Sequence, residues 1–276
     1  MKLLIAVDME GATGIVAWDH VDPKAAEYLR FRHLLTADVN AAVTGALEAG
    51  ATDIVVTDGH WNGGNVLIEE LNPKARLVTG TPAPLAMVQG VQGGVDAVLF
   101  VGYHARAGTL HAILDHTWSN QRIANVWLNG RLAGETGLNG AVCGDCGVPV
   151  LLVTGDQAVA AEAQEWIPGV ETAVVKTALS RHGAECLPPA QTGPLIQAAA
   201  RRAVQRFLGG QGPRPIQVTR PVTVRIAFLT SLMADQAALL PGSERIDGTT
   251  LEFTAESMTR AYLQFRAAVN LAPLGV

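Results

Sequence analysis

The sequence LLIAV at residues 3–7 is a short apolar run without a single polar residue. Similar runs recur at residues 53–57 (DIVVT), 97–101 (AVLFV) and 148–154 (VPVLLVT). Continuous apolar runs of this length are typical of strands that are buried on both faces of a parallel sheet. Segments with helical periodicity lie between them, among them residues 24–49, which end at Gly50. This alternation predicts an α/β fold with right-handed crossovers.

The expected architecture is a mostly parallel sheet flanked by helices, with a smaller α+β C-terminal unit. The Leu187-Pro188-Pro189 sequence predicts a boundary between residues 1–188, the α/β metal-binding catalytic domain, and residues 189–276. Two mid-chain segments, 111–118 and 123–128, are expected to be extended. They belong either to the first domain or, as an alternative, pair with the strands of the C-terminal unit. The Asn-Gly pair at 129–130 predicts a hairpin turn. The other predicted elements are helices 66–71, 135–146, 156–166, 194–208 and 255–272 and strands 77–78, 173–175, 218–228 and 251–254.

Composition excludes several classes of protein. The chain has 276 residues, of which 49% are hydrophobic and only 16% charged, which excludes intrinsic disorder. Its net charge is −5 and it contains no basic stripe, so nucleic acid is not an expected partner. The longest uncharged stretch, 77–95, is broken by prolines and glycines, so no membrane segment is expected. Since Asp8 also interrupts the first apolar run, we expect a cytoplasmic protein, and its low charge favours a homo-oligomer.

Polar residues follow three of the predicted strands where each strand ends: Asp8 and Glu10, then Asp58 and His60, then His104. The carboxyl ends of parallel strands meet at one edge of a sheet, where ligands bind. Asp8 and Glu10 are two residues apart, so they point to the same face of an extended chain. Two adjacent carboxylates repel unless a cation or a proton lies between them. Carboxylate and imidazole together suit zinc, manganese or iron, and a shared carboxylate favours two metal ions.

Each candidate also has a structural interpretation. An isolated histidine is more often a hydrogen-bonded structural residue, which is how we interpret His20, His33 and His182, whereas His60 and His104 share the predicted edge. Asp58 is either a turn or helix cap or a partner that orients an imidazole. His111 and His116 are five residues apart on one segment, so only one of them is expected to face the cleft. Glu135 begins a helix and more often caps it. The three cysteines, 143, 146 and 186, are more simply structural than a metal or redox site.

At these residues the chain resembles the DppA-type D-aminopeptidases, which are binuclear zinc peptidases of bacteria. The matching motifs are VDMEG (7–11), Asp58-Gly59-His60, GYHARA (102–107) and GETGLN (134–139). Further similarity lies in PVLLVTGD (149–156), VKTALSR (175–181) and LLPG (239–242), so nearly the whole chain is covered in order.

The resemblance implies two Zn²⁺ ions per subunit and an aminopeptidase for short peptides with an N-terminal D-residue, such as D-Ala. It implies that Asp8, Glu10, His60, His104 and Glu135 bind the metals, that Asp8 bridges them, and that a hydroxide held between them attacks the peptide carbonyl. The family's catalytic histidine maps onto His116, with His111 as the competitor because residues 108–120 depart from the family pattern. A two-domain subunit and a homodecamer are implied as well.

Two other classes of function stay open at this point. Another binuclear metallohydrolase, either a phosphoesterase or an L-aminopeptidase, would use similar ligands. Phosphoesterases usually carry an Asn-His pair and a His-x-His motif, and this sequence has neither. The third candidate is a non-catalytic peptide-binding protein.

Overall fold

Strands alternate with helices along most of the chain in the computed structural model, which describes residues 1–274. The predicted α/β class is therefore confirmed. In chain order the elements are β1 (Lys2–Val7), α1 (Tyr28–Glu48), β2 (Asp53–Asp58), β3 (Ala75–Val78), β4 (Ala97–Val101), β5 (Ile123–Leu128), β6 (Arg131–Leu132), α2 (Glu135–Asp145), β7 (Val150–Asp156), α3 (Gln157–Trp166), β8 (Glu171–Ser180), β9 (Gly183–Cys186), α4 (Pro189–Leu208), β10 (Val222–Phe228), α5 (Ser231–Ala237), β11 (Ser243–Arg245), β12 (Thr250–Ala255) and α6 (Met258–Leu271).

The larger sheet has the strand order β3-β2-β1-β4-β7-β8-β9. All its neighbouring strands are parallel except β8 and β9, which pair antiparallel at one edge. In the register of the central strands, Val7 of β1 lies beside Asp58 of β2 and Val101 of β4. The three strands therefore end level with one another, and the residues that follow them emerge at one edge.

Helices α1 and α4 pack together on one face of this sheet. The buried residues of α1 recur every three or four positions, at Phe31, Leu35, Val39, Ala42 and Ala46, which is the apolar stripe of an amphipathic helix. These side chains share a core with Leu3, Ile5 and Val7 of β1 and with the buried residues of α4. Alternate residues of β1 therefore anchor the strand on this side.

A second core lies on the other face of the sheet. It joins Leu4 of β1 and Phe100 of β4 to the buried residues of α2, α3 and α6. It also includes one face of a smaller, fully antiparallel sheet with the order β11-β12-β10-β5-β6. The predicted hairpin joins β5 to β6, and Asn129 and Gly130 both have positive φ, at 48° and 80°. This is the backbone for which an Asn-Gly pair is suited.

Two predicted elements are wrong. Residues 66–71 form turns instead of a short helix, and residues 111–118 are irregular instead of extended. In the second segment His111 and Leu114 both have a φ of 50°, and the backbone N–H of Ile113 donates to the carboxylate of Asp156. Hydrogen bonds to residues far away in the chain, Asp156 and Arg181, replace the strand pairing that the pattern indicated.

The division of the chain at residue 188 stays a prediction. Strands β5 and β6 belong to the same sheet as the C-terminal strands β10–β12, and α4 packs on α1. In the part of the chain from residue 1 to residue 274, no helix has the length and apolar character needed to cross a membrane.

Candidate metal centre

The loop after β1 carries Asp8 and Glu10 against the end of β4. The backbone N–H of Asp8 donates to Val101 O (2.9 Å), and that of Gly11 donates to Gly102 O (2.8 Å). A Cβ atom at Gly11 would lie 1.8 Å from Tyr103 O, so only glycine permits this approach. The close contact places both carboxylates, which are buried, beside the residues that follow β4.

His60 lies in the loop after β2 and faces both carboxylates with one ring nitrogen. Its Nδ1 is 3.2 Å from Asp8 Oδ1 and 3.1 Å from Glu10 Oε2. Its Nε2 is 3.1 Å from the backbone carbonyl of Val21. When Nε2 donates to this carbonyl, Nδ1 keeps its lone pair toward the carboxylates, which is the tautomer that a metal ligand needs.

His104 follows β4 with the opposite choice of nitrogens. Its Nδ1 is 3.0 Å from Ala105 O, and its Nε2 is 3.4 Å from Asp8 Oδ2 and 3.2 Å from Glu135 Oε1. The ring is fully buried and stacks on His116 with 3.9 Å between centroids. As in His60, one nitrogen has a carbonyl partner and the other faces two carboxylates.

Glu135 is the first residue of α2, in the turn where the helix dipole favours a negative charge. The N-cap residue of the helix is Gly134, and no side chain accepts a capping hydrogen bond from the first turn. The carboxylate of Glu135 instead accepts a 2.7 Å hydrogen bond from the backbone N–H of Trp118 and faces His104. The structure therefore does not show the capping role that the sequence pattern favoured for this residue.

His116 completes the cluster from the irregular segment 111–118. Its Nδ1 is 2.8 Å from Leu114 O, and its Nε2 is 3.8 Å from Glu10 Oε1 and 3.7 Å from Glu135 Oε1. His111 is exposed instead, with Nδ1 2.9 Å from Leu179 O. The structure thus brings His116, and not His111, to the carboxylates.

These six side chains form three overlapping groups in which the ligand atoms lie within 4.8 Å of one another. Asp8, Glu10 and His104 each belong to two groups, so the groups share ligands. Asp8 Oδ2, Glu10 Oε2 and His104 Nε2 are buried without a hydrogen-bond partner among the described residues. Buried polar atoms are normally paired, so unpaired lone pairs that converge on one place fit a bound cation. The groups are Asp8–Glu10–His60, Asp8–His104–Glu135 and Glu10–His104–His116.

The electrostatics of the cluster also favour a cation. Burial alone would lower the pKa of His60 and His104, yet the neighbouring carboxylates raise the pKa of both well above the ordinary value. Burial and the charge of Glu10 raise the pKa of Asp8. His116 lies farther from the carboxylates, and burial followed by the charge of His104 lowers its pKa to about 4. The carboxylates therefore draw positive charge to the two nearer imidazoles.

Asp58 supports the loop of His60 without touching its ring. Its carboxylate accepts hydrogen bonds from the backbone N–H groups of Asn65 and Val66 and from Asn65 Nδ2, at 2.6–3.0 Å. The same amide group donates to His60 O (2.7 Å), and Tyr28 donates to Asn65 Oδ1 (2.7 Å). The ring of His60 is oriented by Val21 O instead, which sequence reasoning did not find.

Lys176 on β8 is a second supporting residue that sequence reasoning missed. It is 1% exposed, and its ammonium donates to three carbonyl oxygens of the loop after β1, those of Glu10 (2.7 Å), Ala12 (2.8 Å) and Ile15 (2.6 Å). Lys176 directly follows the apolar residues 173–175, and a lysine next to a buried run of this kind is the sequence signal that could have indicated the role.

Comparison with known proteins identifies the family of this chain. The peptidase M55 family model, described as D-aminopeptidase, matches residues 1–267. The chain belongs to the D-aminopeptidase family. A D-aminopeptidase of Bacillus subtilis (strain 168) is 36% identical over 273 residues, which covers 99% of this chain and 98% of that protein. A solved structure of the family, described as the Zn-dependent D-aminopeptidase DppA from Bacillus subtilis, a self-compartmentalizing protease, superposes with a TM-score of 0.94 at 36% identity, covering 99% of this chain and 98% of that one.

Proposed function

We propose that this member of the D-aminopeptidase family is a zinc-dependent enzyme that hydrolyses short peptides with an N-terminal D-residue of the D-Ala type. Membership of the family and the likeness to a relative described as Zn-dependent support this proposal. The observation that carries it is the shared arrangement of three buried histidines. Each gives one ring nitrogen to a backbone carbonyl and turns the other toward buried carboxylates.

We infer that the cluster holds two zinc ions per subunit. Asp8, Glu10 and His60 would hold one ion, and Asp8, His104 and Glu135 the other, with Asp8 shared. These are the carboxylate and imidazole ligands of catalytic zinc sites. When bound, zinc supplies a Lewis acid that polarises a carbonyl and lowers the pKa of water.

The remaining chemistry belongs to the protein's own groups. Leu114 O accepts a hydrogen bond from the N–H of His116 Nδ1, so His116 Nε2 keeps a lone pair beside Glu10 and Glu135. We infer that this nitrogen accepts a proton from the water that attacks the peptide carbonyl and donates it to the leaving amine as the C–N bond breaks. The backbone hydrogen bonds of all three imidazoles hold their orientation before substrate arrives, which reduces the reorganisation that the reaction requires.

The test of this function is a comparison of two chromogenic substrates. Purified protein with added Zn²⁺ should cleave D-Ala-p-nitroanilide faster than L-Ala-p-nitroanilide, and EDTA should abolish both activities until zinc is restored. Equal or faster cleavage of the L-substrate would contradict the proposed stereochemistry. Hydrolysis of p-nitrophenyl phosphate with no cleavage of either anilide would favour a phosphoesterase instead.

The number of ions is tested by metal analysis of matched histidine variants. His104 and Glu135 face each other across the second group, so His104→Ala should lower the bound zinc from about two ions per subunit toward one. His33→Ala is the control, since His33 is an exposed histidine that pairs with Glu70 and belongs to none of the three groups. Unchanged stoichiometry in His104→Ala would remove His104 from the ligand set.

We further propose that the subunits assemble into a homodecamer. Low charge, together with large apolar side chains that are exposed on the subunit, such as Leu110 (79%), Leu239 (68%) and Ile68 (67%), supports an assembly that covers them. A relative described as self-compartmentalizing is consistent with this. Sedimentation equilibrium should give a mass close to ten times 29.0 kDa, and a monomer would contradict the proposal. The cytoplasmic location also stays a prediction, which cell fractionation checks.

A further inference from the structure

The candidate metal centre opens into a cavity of about 600 Å³ that also contains two arginines. Asp8, Glu10 and Glu135 line one part of it, and Arg122 and Arg266 belong to the same lining. The volume lies within the range of small-molecule sites, about 300–1,000 Å³. The cavity therefore contains the candidate metal centre and two cationic side chains, and its size suits a short peptide.

Neither arginine has an acidic partner in residues 1–274, although most arginines of the chain do. Nine others form ion pairs with Asp or Glu, among them Arg181 with Asp115 and Arg260 with Glu256. Both arginines are partly buried, so water screens them less than it screens a surface arginine. An unpaired guanidinium in such a place favours an anion, and carboxylate is the anion that matches its fork of N–H groups.

Backbone carbonyls hold both guanidinium groups in place without using all their donors. Arg122 Nε donates to Ala272 O (2.8 Å), and Arg266 Nη1 donates to the carbonyls of Ala83 and Pro84. The two terminal nitrogens of Arg122 and Nη2 of Arg266 have no acceptor among the described residues. These N–H groups are therefore free to bind a ligand.

Trp118 connects the part of the cavity that contains the two arginines to the metal centre. Its backbone N–H donates to Glu135, and its ring meets Tyr262 and Phe265 of α6 edge-on at 5.6 Å and 5.4 Å. Arg266 follows Phe265 directly, and Arg122 is four residues beyond Trp118. Residues 119–122 form a turn in which Arg122 N–H donates to Ser119 O (3.2 Å), so the Cα atoms of Trp118 and Arg122 lie closer together than the roughly 14 Å of an extended chain. A peptide of four residues or fewer is long enough to span this separation.

We propose that Arg122 and Arg266 bind the C-terminal carboxylate of the substrate, which makes the preferred substrate a short peptide with a free C-terminus. This inference rests on the proposed peptidase function, because the metal centre defines the other end of the peptide. The two ends of the peptide are then bound separately: the amino terminus lies at the metal centre and the carboxylate at the arginines. Longer peptides and peptides with a blocked C-terminus lose the second contact.

The test compares D-Ala-D-Ala with its C-terminal amide, D-Ala-D-Ala-NH₂, as substrates of the zinc-loaded protein. The ratio of their kcat/KM values isolates the carboxylate, because both peptides present the same scissile bond. We expect the wild type to favour the free acid by about 10- to 100-fold, as for a lost charge-assisted hydrogen bond. In the double variant R122Q/R266Q the ratio should fall toward one while cleavage of the amide persists. R260Q, on the same helix α6 but paired with Glu256, should keep the wild-type ratio.

An unchanged ratio in R122Q/R266Q, or a wild type that cleaves the amide as fast as the acid, would overturn the proposal. Cleavage of the amide by the double variant shows that the variant is folded and that the metal centre works. If the wild type cleaves neither peptide, the failure lies in the proposed function and not in the arginines.

Discussion

Replacing Lys176 by methionine removes a buried charge that holds the loop of Asp8 and Glu10. The ammonium donates three hydrogen bonds of 2.6–2.8 Å to carbonyl oxygens of Glu10, Ala12 and Ile15. Hydrogen bonds from a charged donor contribute about 1.5–3 kcal/mol each. Methionine fills similar space but leaves these carbonyls without this donor. Part of the loss is offset, because the variant no longer has to remove an ammonium group from water when it folds. We expect Lys176→Met to lower the free energy of unfolding by about 2–4 kcal/mol.

The assay is urea unfolding of the metal-free protein at a fixed protein concentration, so that neither zinc nor assembly contributes differently to the two proteins. The urea midpoint should fall with little change in the slope. Lys74→Met is the control, because Lys74 is exposed, and its effect should stay within about 0.5 kcal/mol. Lys176→Met should also bind zinc about 10- to 100-fold more weakly, as variants of residues that orient ligands do. A Lys176→Met midpoint equal to that of Lys74→Met would refute the reasoning.

Two further predictions concern His116 and Asp38. His116→Ala should lower kcat by about 10²- to 10⁴-fold while bound zinc stays unchanged. The control variant His182→Ala changes an exposed histidine and should keep both kcat and bound zinc. Loss of zinc in His116→Ala would make His116 a ligand instead of the group that transfers the proton. Burial raises the pKa of Asp38 to about 6, against 3.8 for an ordinary Asp, although two hydrogen bonds from Thr13 oppose this. The folded state therefore binds the proton of Asp38 more tightly than the unfolded state does. The resulting contribution to the free energy of unfolding is fully present below about pH 4 and is lost as the pH rises through about 6. Relative to Asp38→Asn, the wild type should lose about 3 kcal/mol of unfolding free energy over this interval, and parallel pH profiles of the two proteins would contradict the assignment.

The positions of Asp8, His60 and His104 follow from the sequence because they depend on few assumptions. Apolar runs identify buried strands, parallel strands end at a common edge, and the register places Val7 level with Asp58 and Val101. Any polar residue just beyond these strands must lie near the others. The residues after β1, β2 and β4 could therefore be brought together before the structure was known.

His116 and Glu135 do not follow from the same reasoning. The segment of His116 has no strand partner and is held by contacts with residues far away in the chain. Leu114 N–H donates to Arg181 O (2.9 Å), and Ile113 N–H donates to Asp156 (2.8 Å). No local periodicity encodes such contacts, so the pattern suggested an extended segment and the family resemblance alone pointed to His116. Lys176 was missed for the same reason, since its acceptors lie on a loop more than 160 residues earlier.

The buried carboxylates themselves separate structural from ligand roles, which the sequence does not do. Asp58 and Asp156 each accept three hydrogen bonds from N–H donors, so their charges are satisfied within the fold. Asp8 receives one backbone donor, from Met9, and Glu135 receives one, from Trp118. Since a carboxylate accepts about four hydrogen bonds, Asp8 and Glu135 keep oxygen lone pairs that no N–H group occupies inside a buried site. Of the two carboxylates at the ends of β1 and β2, Asp58 is therefore committed to hydrogen bonds with Asn65 and Val66, and Asp8 is the one left to bind a cation.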